Sequence, residues 1–338
     1  MSKNEDRPVT VFLNAARLDF DHCLSFDRLS QITELTLHEK VDNLTSVQSI
    51  LDHIPSDAEI IITKEMEIPS EAFQQFPSSV KLLCEAGTGY NNLPIQEARS
   101  RNVDVCNVPS YSTEAVAQLA ITYIMNFSCS MISQQRMLEK GDQSNFRGPF
   151  TLQLNELGGK VLGLVGGSGA IGSKVAEIGL ALGMKVVISS RKESLPSDHP
   201  LFGNKDVNIV ASVEELMPMS DYVSIHCPLN ASTKQSIDGK IIRLMKPSAF
   251  IINTARGGII HEKELIKCLK EGVIAGAGLD VQDGEPPTEE SELWKLHNCV
   301  LTPHIGWRRK ETRQRLIDMT IDNIEAYIKG DPTNVVNK

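Results

Sequence analysis

Short runs of β-branched and aliphatic residues alternate along this chain with longer stretches whose apolar positions recur at helical spacing. That alternation marks βα units feeding a mainly parallel sheet. In the first third, Val9–Leu13, Ile60–Ile62, Lys81–Cys84 and Asp104–Cys106 are predicted strands. Further along, strands are predicted at Val161–Val165, Lys185–Ser189, Asn208–Val210, Tyr222–Ile225, Phe250–Asn253, Ala275–Gly278 and Val300–Thr302. Helical patterns fall between them at Ile171–Leu182 and Glu262–Lys270. The stretch Ala115–Phe127 is apolar on nearly every face and predicts a buried helix joining two domains. A last amphipathic helix, Lys310–Lys329, puts Ile317, Ile321, Ile324 and Ile328 on one stripe, and Gly330 with Pro332 stops it. No repeat or low-complexity tract interrupts this pattern.

A glycine-rich turn follows Val161–Val165, near mid-chain and after a complete set of βα units. The expected fold is therefore α/β, with two doubly wound parallel-sheet domains. A Rossmann dinucleotide-binding domain (108–306) is inserted into a flavodoxin-like substrate and catalytic domain (1–107 and 307–338). A chain of 338 residues is long enough to give each its own core. A substrate would sit in the cleft between them.

The turn, Gly163-Leu-Val-Gly-Gly-Ser-Gly-Ala-Ile-Gly172, contains G-x-G-x-x-G as Gly167, Gly169 and Gly172, with Ala170 and Ile171 opening the helix. Glycine here permits a sharp turn, close approach of a pyrophosphate, and tight helix–strand packing at the helix N-terminus. The next strand ends in Ser190-Arg191-Lys192. An NAD site usually carries Asp or Glu there to bind the ribose 2′-hydroxyl. With no carboxylate to repel a 2′-phosphate and Arg191 able to pair with one, NADP(H) is favoured and NAD(H) remains possible.

Arg256 and His304 fall at the ends of predicted strands, and Glu285 stands in Gly284-Glu-Pro-Pro287. In a doubly wound sheet the carboxyl ends of strands border the ligand crevice. A carboxylate beside an imidazole favours its cationic form and orients the ring. An arginine and an imidazolium together suit a ketone oxygen that gains negative charge as hydride arrives. His22, His38, His53, His199, His261 and His297 receive no role on this reading.

Composition narrows the class further. A net charge of −9 argues against general binding to nucleic acid or an anionic membrane. Seven scattered cysteines without CxxC pairs suggest reduced thiols and no metal site. The polar N-terminus lacks a signal-peptide core, and the Ala115–Phe127 stretch is too short to span a bilayer, so a cytoplasmic protein is expected.

Taken together, the motifs resemble the D-isomer-specific 2-hydroxyacid dehydrogenase family. They are Glu85-Ala-Gly-Thr-Gly-Tyr-Asn-Asn92, Val108-Pro-Ser-Tyr-Ser-Thr-Glu-Ala-Val-Ala-Gln118, the glycine turn, Asp221-Tyr-Val-Ser-Ile-His-Cys-Pro-Leu229, Asn253-Thr-Ala-Arg-Gly257, Leu279-Asp-Val281, Glu285-Pro286 and Pro303-His-Ile-Gly-Trp307. The resemblance implies that Arg256 grips the substrate's carboxylate and carbonyl, His304 exchanges a proton with the 2-oxygen, and Glu285 orients His304. It implies carboxylate binding at the amides of Thr88 and Gly89. Asp280 would hold the nicotinamide carboxamide, with His226, Pro228, Thr233, Thr254, Ala255 and Gly306 also at the cofactor. The family usually has one residue fewer before the second glycine, so Gly166-Gly167-Ser168 leaves the phosphate register open. Gln118 and Asn91 also depart from the common Glu and Asp. The nearest branch is glycerate dehydrogenase and hydroxypyruvate/glyoxylate reductase, acting on small 2-oxo or 2-hydroxy acids as a homodimer. Alternatives are an NAD-preferring lactate-like, formate-type or phosphite-type dehydrogenase, and a dinucleotide-sensing corepressor-like scaffold.

Overall fold

The computed structural model describes residues 7–38, 44, 46–190, 194–285, 287 and 290–338. The chain divides into two compact units, Met1–Ser112 with Trp307–Lys338, and Thr113–Gly306.

The first unit holds β1 (Val9–Phe12), β2 (Glu34–Leu37), β3 (Ile60–Thr63), β4 (Leu82–Glu85) and β5 (Asp104–Cys106). They form a parallel sheet in the order β2-β1-β3-β4-β5, the flavodoxin-like winding. β3 and β4 are buried along their whole length, as strands covered on both faces must be, and therefore read as continuous apolar runs. β2 is absent from the sequence prediction. Its Glu-Leu-Thr-Leu alternates exposed and half-buried positions at the sheet edge, and it carries no apolar run. Helix Lys310–Ile328 closes one face through Leu316, Ile317, Ile321 and Ile324. Ile328, at its last turn, is exposed and not part of the buried stripe.

The second unit holds β6 (Val161–Val165), β7 (Lys185–Ser189), β8 (Val207–Val210), β9 (Tyr222–Ile225), β10 (Phe250–Asn253), β11 (Gly276–Leu279) and β12 (Cys299–Leu301). All pairings are parallel, in the order β12-β11-β10-β9-β6-β7-β8. The winding reverses between β6 and β9, which makes their carboxyl ends a topological switch point. Helix Thr113–Cys129 is buried through Ala117, Ala120, Tyr123, Ile124 and Phe127. Phe127 stacks on Phe250 with ring centroids 4.5 Å apart. Among the described residues, no single helix is long and apolar enough to cross a membrane.

Candidate active site

The singled-out residues of the second unit follow the carboxyl ends of β6, β7, β9, β10, β11 and β12. After β6 the chain turns at Gly166, whose φ of +82° favours glycine and where a Cβ would fall 2.6 Å from the Cys227 amide nitrogen. A Cβ on Gly172 would lie 2.6 Å from Gly167 Cα, so the first helical turn presses directly on the loop. At Gly169, the N-cap of helix Ala170–Ala181, an added Cβ would meet only the Gly166 carbonyl at 3.6 Å. The sharp turn therefore belongs to Gly166, and the open backbone at Gly169 and Ala170 faces the helix N-terminus. That position suits a pyrophosphate, because the dipole and the first amides of the helix converge there.

His199, given no role from sequence, packs on this turn. Its Nε2 lies 3.0 Å from Ser173 Oγ and 3.3 Å from the Ser168 carbonyl, while Nδ1 accepts from the Leu201 amide. Only the folded path of the long β7–β8 connection brings it there. Ser190 is half-buried just after β7, its amide donating to the Val210 carbonyl at 3.0 Å. Arg191 and Lys192 lie outside the described residues.

At the opposite side of the sheet, His304 Nδ1 is 2.7 Å from Glu285 Oε2. The Gln282 amide donates to the other Glu285 oxygen at 3.1 Å. The pairing to Nδ1 directs Nε2 away from Glu285 and fixes the ring plane. His304 itself adopts φ +51°, a left-handed conformation that costs free energy in a non-glycine residue. Asp280 holds it there. Its carbonyl accepts the His304 amide at 2.9 Å, and its carboxylate accepts Thr302 Oγ1, the Ile305 amide and the Gly306 amide. Burial pushes the Asp280 carboxyl above its ordinary range, and these three donors pull against that shift. Tyr123 extends the network, its hydroxyl 2.6 Å from Thr302 Oγ1, and burial drives its pKa well up. No sequence motif singles out Tyr123.

Arg256 follows β10 half-buried, with Nη1 donating to the Ala255 carbonyl at 2.8 Å. Asn253 pins the loop from within: Nδ2 donates to the Arg256 carbonyl and Oδ1 accepts the Ala255 amide. Thr254 Oγ1 is buried and has no hydrogen-bond partner among the described residues. An orphaned buried hydroxyl is costly unless a ligand completes it. With the Gly166–Gly169 turn, it makes this edge of the sheet fit a dinucleotide.

His226 follows β9, its amide bonded to the Val165 carbonyl at 2.7 Å and its Nε2 2.8 Å from Ser224 Oγ. Burial pulls its pKa down to about 4, so the ring is neutral at pH 7. A base with a depressed folded-state pKa contributes stability above its unfolded value and loses it as pH falls through the folded one. The shift corresponds to roughly 2–3 kcal/mol once partial exposure is allowed for. Between pH 6.5 and 4 the wild type should therefore lose thermal stability more steeply than a His226→Gln variant. Parallel melting curves would refute the assignment. Pro228 and Thr233 form an exposed turn in which Thr233 Oγ1 donates to the Pro228 carbonyl at 2.6 Å.

In the first unit, Thr88 and Gly89 follow β4. Thr88 Oγ1 donates to the Val108 carbonyl at 2.9 Å, and Asn107 Nδ2 donates to the Thr88 carbonyl at 2.7 Å. The amides of Thr88 and Gly89 have no acceptor among the described residues.

The sequence profile of the D-isomer specific 2-hydroxyacid dehydrogenase NAD binding domain matches residues 121–306. The chain belongs to the D-isomer specific 2-hydroxyacid dehydrogenase family. It is 33% identical to the hydroxypyruvate reductase of Blautia hydrogenotrophica over 317 residues, covering 93% of this chain and 95% of that one. Identity to the glyoxylate reductase of Thermococcus litoralis is 36% over 276 residues, or 80% and 81% of the two chains. The solved NADPH-dependent glyoxylate/hydroxypyruvate reductase of Sinorhizobium meliloti, in complex with NADP and malonate, superposes with a TM-score of 0.79 at 25% identity, covering 98% of this chain and 97% of that one. This member of the 2-hydroxyacid dehydrogenase family is thus an oxidoreductase with a nicotinamide-dinucleotide domain.

Proposed function

We propose that the protein reduces small 2-oxo acids, hydroxypyruvate and glyoxylate foremost, to D-2-hydroxy acids with NADP(H). The observation that carries this reading is the His304–Glu285 pair at 2.7 Å, set after β12 and β11, with Arg256 after the adjoining β10. A nicotinamide held at the dinucleotide site would supply the hydride that the 2-carbon receives. His304, oriented by Glu285 through Nδ1, gives a proton from Nε2 to the carbonyl oxygen, so that the C=O becomes H–C–OH. Arg256 pairs with the acid and stabilises the charge developing on that oxygen. The relatives named as hydroxypyruvate and glyoxylate reductases support the substrate class. Gly166, Gly169, Gly172 and Thr254 would hold the dinucleotide. Asp280 and Gly306 would fix the strand-end segment beside the nicotinamide.

The test is a matrix of initial rates with hydroxypyruvate, glyoxylate, pyruvate and 3-phosphohydroxypyruvate, each with NADPH and NADH. Rapid NADPH oxidation with either of the first two acids is expected. An Arg191→Ala variant should weaken NADPH far more than NADH, and equal effects would remove the cofactor preference. No turnover with any acid would turn the reading toward a sensor of dinucleotide.

We also propose a homodimer formed through the second unit. Phe127 is buried against its own core, but Met131, Phe146, Phe150 and Leu154 are exposed in the segment that follows it. An apolar series of this kind commonly marks an interface. Sedimentation should give twice the chain mass, and a monomer at micromolar concentration would end the proposal.

A further inference from the structure

We propose that Lys64 is a positioning residue for the acid substrate: its buried ammonium, seated on the Trp307 ring beneath the Gly87-Thr88-Gly89 turn, makes that turn a carboxylate site. This rests on reading the turn as acid-binding, and it concerns Lys64, which no motif singled out.

Lys64 immediately follows β3, and its side chain is only 1% exposed. An ammonium in that position needs a reason, because an apolar side chain would fill the space without desolvating a charge. Among the described residues its one hydrogen bond goes to Glu65 Oε1 at 2.9 Å. Glu65 is already shared, since its Oε2 accepts from Arg17 at 3.0 Å. Two cations thus divide one carboxylate. The other acid nearby is Glu85, fully buried at the end of β4. Its oxygens are taken by the Glu65 amide, Thr63 Oγ1 and Asn92 Nδ2, not by Lys64. Burial pushes the Glu85 carboxyl up and Lys64 pulls it back down; burial likewise works against the charged ammonium, which Tyr111, Glu65 and Glu85 favour.

The ammonium and the Glu85 carboxylate both lie close to the turn. A Cβ on Gly87 would sit 3.5 Å from Lys64 Nζ and 3.0 Å from Glu85 Oε1, so the backbone crosses directly over the ammonium. The Trp307 ring centroid is 4.0 Å from Nζ and fixes the ammonium against the ring face. Trp307 Nε1 is itself buried without a partner among the described residues. The amides of Thr88 and Gly89 also have no acceptor among the described residues. Beside the ammonium, an orphaned indole N–H and two available amides are donors that an incoming carboxylate would satisfy. In so dry a setting the field of the ammonium is little screened and acts on whatever the turn receives.

The test uses the full-length protein with saturating NADPH. Lys64→Met keeps most of the length of the side chain and removes its charge, and Arg17 remains to hold Glu65. The KM for hydroxypyruvate should rise about tenfold to a hundredfold, with kcat within a few-fold and the KM for NADPH unchanged. The kcat/KM for methylglyoxal, a neutral carbonyl compound without a carboxylate, should not move. A folded Lys64→Met protein whose acid KM stays within twofold, or which loses methylglyoxal in proportion, would overturn the inference. If that variant does not fold, Trp307→Phe keeps an aromatic face for the ammonium but removes the five-membered ring with its N–H; it should raise the acid KM several-fold, and an unchanged KM would count against the site. Should the wild type reduce no acid, the functional reading fails separately. The melting shift given by oxalate on the cofactor-loaded protein then decides on Lys64: present in wild type and lost in Lys64→Met supports it, equal in both removes it.

Discussion

A His304→Ala variant is expected to lose about 10²- to 10⁴-fold in kcat for acid reduction, the usual contribution of a positioned general acid. Its KM for the dinucleotide should stay near normal, because the phosphate turn lies after β6 and His304 after β12, at different places along the sheet edge. Glu285→Gln should cost less, about tenfold to a hundredfold, since the ring stays in place but loses the carboxylate that fixes its tautomer through Nδ1. The ordering discriminates between roles. If Glu285→Gln were the more damaging change, Glu285 would be acting on substrate directly and not through the histidine. Steady-state rates at saturating acid decide it, and a His304→Ala enzyme with near-normal kcat would remove His304 from the chemistry.

The strain at His304 makes its supports part of that expectation. A left-handed backbone persists at a non-glycine residue only when the surroundings over-determine it. Here the Asp280 carbonyl and carboxylate bond the amides of residues 304, 305 and 306, and Thr302 bridges Asp280 to Tyr123. The arrangement aims the imidazole by clamping the main chain on either side of it. A short strand of three residues, β12, could not do so alone.

How much of this was legible in the sequence follows from the kind of signal each feature leaves. Parallel strands buried on both faces announce themselves as apolar runs, so β3, β4, β6, β9 and β10 lie within a residue or so of their predicted bounds. β2 leaves no such trace, because an edge strand needs only one covered face. His304, Arg256 and Glu285 stand out because strand-end motifs have fixed composition. Gly166 was harder: four glycines crowd the turn, and spacing alone does not tell which one takes positive φ. Lys64 and His199 were illegible for a plainer reason. Their meaning lies in partners distant along the chain, and a buried lysine looks in sequence like any surface one.

The second large effect is expected at Gly257, next to Arg256. A Cβ there would fall 2.0 Å from both the carbonyl carbon and the oxygen of Gln282, and 2.5 Å from the Asp283 amide nitrogen. These are backbone atoms, which have no rotamer in which to retreat. Gly257→Ala must therefore push the Arg256 loop away from the 282–285 segment that carries Glu285. Overpacking of this kind costs about 1–3 kcal/mol of stability, and more where main chain must move. The larger consequence is functional: a displacement of about 1 Å between catalytic groups can cost about a hundredfold in rate. Gly258→Ala is the control, since its Cβ would meet only the flexible tip of Leu229 at 3.4 Å and the Asp283 carboxylate at 3.5 Å. It should keep activity within a few-fold and melt close to the wild type. Thermal unfolding and kcat/KM measured on the pair separate the possibilities. If the two alanines behave alike, the close approach of the Arg256 and Glu285 loops is not what holds the catalytic groups in register.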